Sequence, residues 1–209
     1  FLYRKQYRFF SENDFLLIEP EEIEQRKVFT PFFKLWQKKI LEKEIFLETP
    51  WKFNYIWEFF DIKDFFDKKI VWEKHPYFSI DFWKKRLEKF DFTKYLDLRN
   101  DLDKDWTSKL SVYLRFGIFS IREIFLKTKD LSHTFVSELA WREFWHHINY
   151  YFPFTKDIEF QEKRRNIVWK NDEKLFKKWC DWETWYPIVD ASMKQLLETN
   201  WMHWRSRMI

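Results

Sequence analysis

The most regular pattern in this sequence is TFVSELAWREFWHHINYYF, residues 134–152, which Pro153 follows. Apolar residues recur in it at every third or fourth position, the spacing that places side chains on one face of an α-helix. The members of that face are Val136, Ala140, Phe144, Ile148 and Tyr151. The pattern therefore predicts a helix that packs this face in a core and ends before the proline.

A second face of the same predicted helix carries polar and aromatic side chains. Its members are Glu138, Trp141, Arg142, Trp145 and Asn149, at positions i, i+3, i+4, i+7 and i+11. One interpretation is a face that lines a binding cleft. The other is an ordinary i,i+4 pair of Glu138 with Arg142, of about 0.3–0.5 kcal/mol, with indoles that pack on a neighbouring helix. The pattern alone favours the second.

Helical patterns continue on both sides of this segment. Thr30 is predicted to cap a helix that has Pro31 in its first position and runs to Leu41. Further helices are predicted over 79–92, over 107–116 with Thr107 or Ser108 as the cap and Gly117 as the end, from Ser120, from Asp172 and from Pro187. Residues 43–78 are predicted as short helices and loops. The fold class predicted is mainly α, with residues 29–209 as one multi-helical domain and residues 1–28 as the irregular or strand-like end of another unit.

The composition excludes several classes of protein. Aromatic residues make up 23% of the 209 residues whereas glycine occurs once, which excludes glycine-rich phosphate loops. The single cysteine excludes a disulfide scaffold and fits a reducing compartment. Neither an apolar run of membrane-spanning length nor a signal peptide is present, so a cytoplasmic protein is expected. The five histidines lack the spacing of a metal site, and no metal is expected.

One segment has the residues of an anion site. Thr107, Ser108 and Ser111 lie at a predicted helix N-terminus beside Lys109, so that hydroxyls, free N–H groups and a positive charge meet. Capping alone would also explain the first two hydroxyls. The basic run 163–165 is open to two similar interpretations, a solvated loop or a phosphate contact.

Several strings stand in a fixed order and spacing along the chain. They are Val28-Phe-Thr-Pro-Phe32 with Trp36, Tyr95, Thr107-Ser-Lys-Leu-Ser111, Tyr113-Leu-Arg-Phe-Gly117, Glu138-Leu-Ala-Trp-Arg-Glu-Phe144, Tyr186-Pro-Ile-Val-Asp190 and Trp201-Met-His203. Over residues 28–209 this set resembles the first part of the C-terminal, FAD-binding helical domain of the DNA photolyase/cryptochrome family. Leu17-Ile-Glu-Pro-Glu-Glu-Ile23 resembles the end of the α/β antenna domain that precedes it, so residues 1–28 are expected to be a remnant of that domain.

The resemblance implies a deoxyribodipyrimidine photo-lyase, in which reduced FAD and blue light drive an electron into a pyrimidine dimer that is flipped out of damaged DNA. The implied cofactor-binding residues are Tyr95, Thr107, Ser108, Lys109, Leu110, Ser111, Phe135 and Arg207. The implied DNA-binding residues are Arg99, Glu138, Trp141, Arg142, Trp145, Trp204 and Arg205. Glu138 is also implied to be catalytic, and Trp169 to be the outer member of a tryptophan chain that reduces the flavin. A second antenna chromophore would belong to the missing N-terminal domain, and a monomer without membrane contact is implied.

The sequence departs from the family pattern at several positions. It stops at Ile209, in the middle of the family's flavin pocket, so the fragment alone is expected to hold half a site. Lys109 replaces a frequent arginine, and Trp204 stands where dimer-repairing photolyases usually have asparagine. Trp106, Trp182 and Trp185 each stand where the family commonly has glycine. We therefore hypothesise that these three codons are UGA triplets that specify glycine in the source.

Three functions remain open from the sequence. The first is light-dependent repair of pyrimidine dimers, which the Glu138, Trp141 and Arg142 set favours. The second is a cryptochrome-like blue-light photoreceptor, which Trp204 and the modest net charge of +4 favour. The third is a helical remnant that binds no ligand.

Overall fold

The structure is a computed structural model that describes residues 15–47 and 80–209. Within these ranges the chain is helical and has no strand, which confirms the mainly α class. The α-helices are α1 (Phe29–Glu42), α2 (Ile80–Lys89), α3 (Tyr95–Leu98), α4 (Ser111–Arg115), α5 (Ile121–Thr128), α6 (His133–Tyr151), α7 (Glu173–Cys180) and α8 (Pro187–Thr199). Most of the segment 43–78, predicted as short helices and loops, lies outside the described residues.

The start of α1 differs from the prediction. Its N-cap is Val28, in extended backbone with φ −128° and ψ 138°, and Thr30 already lies in the first turn. Pro31 also lies in that turn, where the missing N–H of proline leaves no hydrogen bond unmade. The predicted cap at Thr30 is therefore wrong by two residues. The described part of the preceding segment is irregular, with one short 3₁₀ turn at Pro20–Glu22.

The predicted helix over 107–116 is shorter in the structure. Lys109 has a φ of 54°, a left-handed backbone conformation that a right-handed α-helix cannot contain. The helix α4 therefore begins only at Ser111, with Leu110 as its N-cap. The prediction that Thr107 or Ser108 caps this helix is wrong, because the left-handed residue separates both of them from it.

The helices α4 and α7 end in the same backbone motif. At the end of α4, Gly117 (φ 64°) and its successor donate hydrogen bonds to carbonyls three and five residues back, at 3.4 and 2.9 Å. At the end of α7, Trp182 (φ 54°) and its successor do the same at 3.3 and 2.8 Å. This is the Schellman motif, whose left-handed residue is usually glycine. Gly117 thus ends α4 as predicted, whereas α7 ends at a tryptophan.

The helix α6 lies at the centre of the core and contacts α1, α3 and α5. It begins one residue before the predicted start, and the hydroxyl of Ser132 caps it by accepting the N–H of Phe135 at 3.3 Å. The predicted apolar face is confirmed, since Val136, Ala140, Phe144 and Ile148 are buried and Tyr151 is half-buried. A second group of buried residues was not predicted: Phe135, Leu139, Glu143 and His147.

Glu143 joins three parts of the chain through its buried carboxylate. The backbone N–H groups of Leu17 and Ile18 donate to its two oxygens, the second at 3.2 Å, and the indole N–H of Trp36 in α1 donates to one of them. Burial raises the pKa of Glu143 to about 7, although these hydrogen bonds and Arg142 act in the opposite direction. The N-terminal segment and α1 are thus both fixed to α6 by one side chain.

The helices α7 and α8 form a separate layer. Asp172 caps α7 as predicted, and α8 opens at Pro187 as predicted. No residue of α7 is buried, and α7 packs on α8. None of the helices within 15–47 and 80–209 has the length and apolar character that crossing a membrane requires.

Candidate functional site

A cavity of about 370 Å³ lies between α3, the start of α4, α6 and the N-terminal segment. Its walls include five of the residues predicted to bind the cofactor, namely Tyr95, Ser108, Leu110, Ser111 and Phe135. They also include two of the residues predicted to bind DNA, Glu138 and Arg142. Residues that are distant in the sequence therefore meet at one place. Phe15 and His146 line the same cavity and were not predicted, since no spacing in the sequence connects them with it.

Tyr95 forms the apolar end of this cavity. It is buried, and its ring meets the ring of Phe135 edge to face at 5.1 Å. Burial raises the pKa of the Tyr95 hydroxyl to about 12, and the nearby Glu138 carboxylate acts in the same direction. Tyr95 therefore stays protonated at neutral pH. Both rings are buried, and they form an aromatic part of the cavity wall.

The loop from Thr107 to Leu110 holds an unusual hydroxyl. Thr107 is 7% exposed, and its Oγ1 is buried without a hydrogen-bond partner among the described residues. Its carbonyl, in contrast, accepts a hydrogen bond from Arg86 at 3.0 Å. A buried hydroxyl without a partner is costly, so such a group calls for an explanation, and contact with a water or an ion is one. The Thr107 hydroxyl therefore fits the predicted contact with an anion.

Lys109, in the same loop, is placed differently. Its ammonium pairs with Asp105 at 2.9 Å and lies 4.8 Å from the centre of the Trp201 ring. Its side chain is only 13% exposed. Neither Lys109 nor Thr107 lines the cavity described above. The residues predicted to bind an anion are thus divided: Ser108 and Ser111 lie in the cavity wall, and Thr107 and Lys109 lie in the adjoining loop.

Glu138 and Arg142 do not form the i,i+4 pair that the sequence suggested as the simpler interpretation. Glu138 forms its ion pair with Arg99 of the segment after α3, and its side chain remains 39% exposed. Arg142 donates to the carbonyl of Phe15 at 2.8 Å and lies 4.1 Å from the centre of that ring. Both charged groups are thus held by partners outside α6 and reach the cavity.

The two indoles of this face are not among the residues that line the cavity. Trp141 is half-buried and stacks on Phe29, with ring centres 3.6 Å apart and planes at 8°. Trp145 is 58% exposed, and its ring centre is 6.1 Å from that of Trp141. Of the predicted DNA-binding indoles, Trp145 is therefore open to solvent, whereas Trp141 also belongs to the packing of α1 on α6.

The C-terminal residues of the prediction divide into two groups. Trp204 donates its indole N–H to the carbonyl of Arg99, the ion-pair partner of Glu138 in the cavity wall, and Arg205 lies over the Trp204 ring. Arg207 lies elsewhere: its Nε donates to the carbonyl of Met202 at 3.2 Å, and it lines a second cavity of about 570 Å³ next to α7 and α8. Trp169 is 72% exposed in the loop before α7. The structure does not bring these last two residues to the first cavity.

Two further polar residues were missed by the sequence reasoning. His203 is 3% exposed, with an Nε2 that has no hydrogen-bond partner among the described residues. Glu143 lies within one of the quoted strings but was not singled out.

The basic run 163–165 is exposed, in agreement with a solvated loop. Across residues 15–47 and 80–209 no group of histidine, cysteine, aspartate and glutamate side chains could hold a metal ion.

The comparisons with known proteins agree with this arrangement. Residues 135–209 match the family model described as the FAD binding domain of DNA photolyase. The chain is a relative of the DNA photolyases. The deoxyribodipyrimidine photo-lyase of Alkalihalophilus pseudofirmus is 32% identical over 100% of this chain and 48% of its own length. That of Vibrio cholerae is 31% identical over 88% of this chain and 43% of its own length.

Solved photolyase structures match in fold as well. The class III photolyase from Agrobacterium tumefaciens superposes with a TM-score of 0.73 at 26% identity, over 93% of this chain and 45% of its own. A photolyase from Sulfolobus tokodaii, solved with two FAD molecules, gives a TM-score of 0.55 at 32% identity over 60% of this chain and 28% of its own. The resemblance predicted from the sequence is confirmed. The chain spans about half the length of the photolyases that it matches.

Proposed function

We propose that this chain is part of a photolyase that binds FAD and repairs pyrimidine dimers in DNA with light. The observation that carries the proposal is the cavity in which Tyr95, Ser108, Leu110, Ser111 and Phe135 meet Glu138 and Arg142. Three kinds of group surround it: aromatic rings, hydroxyls and a pair of opposite charges. An aromatic cofactor with a diphosphate and a flipped pyrimidine base require these groups.

The roles of the residues follow from their contacts. Bound FAD would supply the absorption of light and the transfer of an electron. Tyr95 and Phe135 would pack on its rings, while the Thr107 hydroxyl and Ser108 would donate to its diphosphate. Lys109 would contribute positive charge at a distance, because its ammonium is already paired with Asp105. Arg207 and Trp169 stay predictions whose sites lie away from this cavity.

The DNA side of the site would be formed by α6. The exposed part of the Glu138 carboxylate would accept a hydrogen bond from a base edge, with Arg99 as its counter-charge. Arg142 would face the same opening, and Trp145 would offer a ring for stacking at the rim. We propose damaged DNA with a flipped dimer as the partner, bound by a monomer. The single cysteine, Cys180, supports a cytoplasmic location.

A direct test is the binding of FAD and of damaged DNA to the purified chain. We expect the chain to bind FAD weakly, because the residues described here form one side of a cofactor site and leave much of a flavin solvated. We expect a dimer-containing duplex to bind more tightly than an undamaged one. Stoichiometric FAD that stays bound through purification would contradict the first expectation, and equal affinity for the two duplexes would contradict the second.

A cryptochrome-like photoreceptor is the second candidate, and Trp204 is the observation that favours it. Dimer-repairing photolyases usually have an asparagine at the position of Trp204. In this chain the Trp204 ring lies against Arg99. FAD binding without preference for damaged DNA would support the photoreceptor. Binding of neither ligand would support the third candidate, a helical remnant without function.

A further inference from the structure

Trp204 contacts two arginines, and one of them, Arg99, forms an ion pair with Glu138 in the cavity wall. Its indole N–H donates to the backbone carbonyl of Arg99 at 3.0 Å. The guanidinium of Arg99 lies 4.8 Å from the centre of the indole ring, and that of Arg205 lies 4.2 Å from it. Arg205 is itself held by Asn100, whose side-chain oxygen accepts from its Nε at 3.1 Å. The indole thus fixes both the backbone and the side chain of Arg99.

Arg99 connects this contact with the cavity. Its guanidinium forms the ion pair with Glu138 and lies 5.6 Å from the centre of the Tyr95 ring, so it is bounded by two aromatic rings and a carboxylate. An arginine side chain has many rotamers, and stacking on a ring selects the few that keep the guanidinium plane against it. Loss of one ring would release Arg99 and leave the Glu138 carboxylate without a fixed partner.

We propose that Trp204 is a positioning residue that holds Arg99 on Glu138 and so fixes the carboxylate at the cavity. Trp204 does not itself line the cavity, and its effect passes through Arg99. The proposal depends on the proposed function in one respect, namely that Glu138 accepts a hydrogen bond from a base of the damaged DNA. The contact between Trp204 and Arg99 can be tested without any ligand.

The test is NMR of the Arg99 side chain in the purified chain, with Trp204→Ala, Trp204→Phe and Trp179→Ala as variants. The ring of Trp204 should shift the Arg99 Nε–H signal, and Trp204→Ala should abolish that shift. Trp204→Phe keeps an aromatic ring and should retain most of the shift. This variant replaces Trp204→Ala in the test if the alanine variant fails to fold. Trp179→Ala removes an indole of α7 and should leave the signal unchanged. An Arg99 signal that is the same in all four proteins would overturn the proposal.

Titration with a dimer-containing duplex separates this proposal from the proposed function. If the wild type prefers damaged DNA, Trp204→Ala should lose most of that preference and Trp204→Phe should retain it. If the wild type shows no preference, the repair function fails, while the NMR result still decides whether Trp204 contacts Arg99. A preference that Trp204→Ala keeps in full would overturn the positioning role.

A second inference rests on the backbone at two other tryptophans. Trp182 and Trp185 have φ angles of 54° and 70°, in the left-handed region where a bulky side chain is a conformational outlier. Of the other non-glycine residues with positive φ, Asn171 and Asn200 are of the type that tolerates this conformation, and Lys109 has an unbranched side chain.

Both tryptophan side chains are exposed. Trp185 is 89% exposed, and its backbone N–H donates to Asp190 at 3.0 Å. Trp182 is 44% exposed, with the Lys194 ammonium 5.2 Å from its ring. Trp182 occupies the same place in its Schellman motif as Gly117 does at the end of α4. Trp204, in contrast, has a bonded indole N–H and two stacked cations, as expected for a true tryptophan.

We infer that positions 182 and 185 are glycine positions whose codons are UGA triplets read as glycine in the source. Trp106 is the third tryptophan that the sequence analysis assigned to a UGA codon. Its backbone does not support that assignment, because Trp106 is not among the described residues with positive φ. The inference does not depend on the function of the protein. It concerns only which residue the backbone of these two positions requires.

One tryptic peptide of the protein from its natural source tests this. Residues 179–194 lie between two lysine cleavage sites and contain Trp179, position 182 and position 185. Mass spectrometry should show glycine at the last two and tryptophan at Trp179, which serves as the internal standard. Tryptophan at all three positions would overturn the inference.

The melting temperature of variants tests the same point on the folded chain. Trp182→Gly and Trp185→Gly should each raise the melting temperature, because glycine adopts the left-handed conformation without strain. Trp179→Gly, inside α7, should lower it, because glycine weakens a helix interior. A lower melting temperature in both of the first two variants would contradict the inference.

Discussion

The carboxylate of Glu143 in α6 accepts the indole N–H of Trp36 in α1, across 107 residues of sequence. The same carboxylate accepts the backbone N–H groups of Leu17 and Ile18. Three donors on two separate segments therefore depend on one buried side chain. Because both oxygens are engaged, an amide in place of the carboxylate would direct an NH₂ group at one of these donors.

Above pH 7, where Glu143 is ionised, we expect Glu143→Gln to lower the free energy of unfolding by about 1–3 kcal/mol, the cost of leaving a buried polar group unsatisfied. Urea denaturation would measure it. Glu138→Gln is the matched control, because that side chain is 39% exposed and should change the stability by less than about 1 kcal/mol. Equal losses in both variants would contradict the role assigned to Glu143.

The pKa of Glu143 predicts how stability depends on pH. Its value in the folded protein is about 7, above the ordinary value of 4.5, so the folded state binds the proton more tightly than the unfolded state. The stability from this group is therefore fully present below pH 4.5 and is lost as the pH rises to about 7. Denaturation at a series of pH values should show this decline in the wild type. Glu143→Gln should lack this component, and an unchanged decline in the variant would exclude Glu143 as its source.

Thr107→Val should change stability and binding in opposite directions. It removes a buried hydroxyl that has no partner, so the free energy of unfolding should rise by about 1 kcal/mol, while affinity for FAD should fall. Thr128→Val is the matched control, because Thr128 is also buried and its hydroxyl donates to the carbonyl of Ile124 at 2.8 Å. That variant should lose about 1 kcal/mol and keep its FAD affinity. A loss of stability in Thr107→Val would show that its hydroxyl does have a partner.

Trp141→Ala should reduce both stability and binding of damaged DNA. The stack on Phe29 ties Trp141 to α1, and an aromatic pair contributes about 0.5–1.5 kcal/mol. Loss of a stacking platform should cost roughly 1–3 kcal/mol of lesion affinity. Trp145→Ala should cost affinity only, since that indole is exposed. Thermal melts beside DNA titrations would separate the two. If both variants bind damaged DNA as tightly as the wild type, Trp141 and Trp145 do not belong to the DNA-binding site.

Ala140→Leu should destabilise the fold without a direct effect on ligands. Ala140 is fully buried in the middle of α6, and an overpacked core costs about 1–3 kcal/mol. Asn149→Leu enlarges an exposed position of the same helix and should stay within about 0.5 kcal/mol. Similar melting temperatures for the two variants would mean that the buried face of α6 tolerates extra volume.

The buried face of α6 could be predicted because an amphipathic period is a property of local sequence. The partners of Glu138 could not, because the i,i+4 rule considers one helix and Arg99 lies on another segment. Glu143 was missed for a related reason, since two of its donors are backbone groups more than 120 residues away. The left-handed conformation of Lys109 was unpredictable from residue type, and it displaced the start of α4. Of the predicted cofactor residues that line the cavity, Ser108 and Ser111 were also indicated by the pattern of an anion site, whereas Tyr95, Leu110 and Phe135 came from the resemblance alone.

The lack of buried residues in α7 has a consequence for the order in which the chain opens. A helix that rests on one neighbour can separate from it while the α1, α5 and α6 core stays folded. The amide protons of α7 should therefore exchange with solvent at a lower opening free energy than those of α6. Within the described residues, the part that carries Glu138 and Tyr95 should therefore be more protected from exchange than α7.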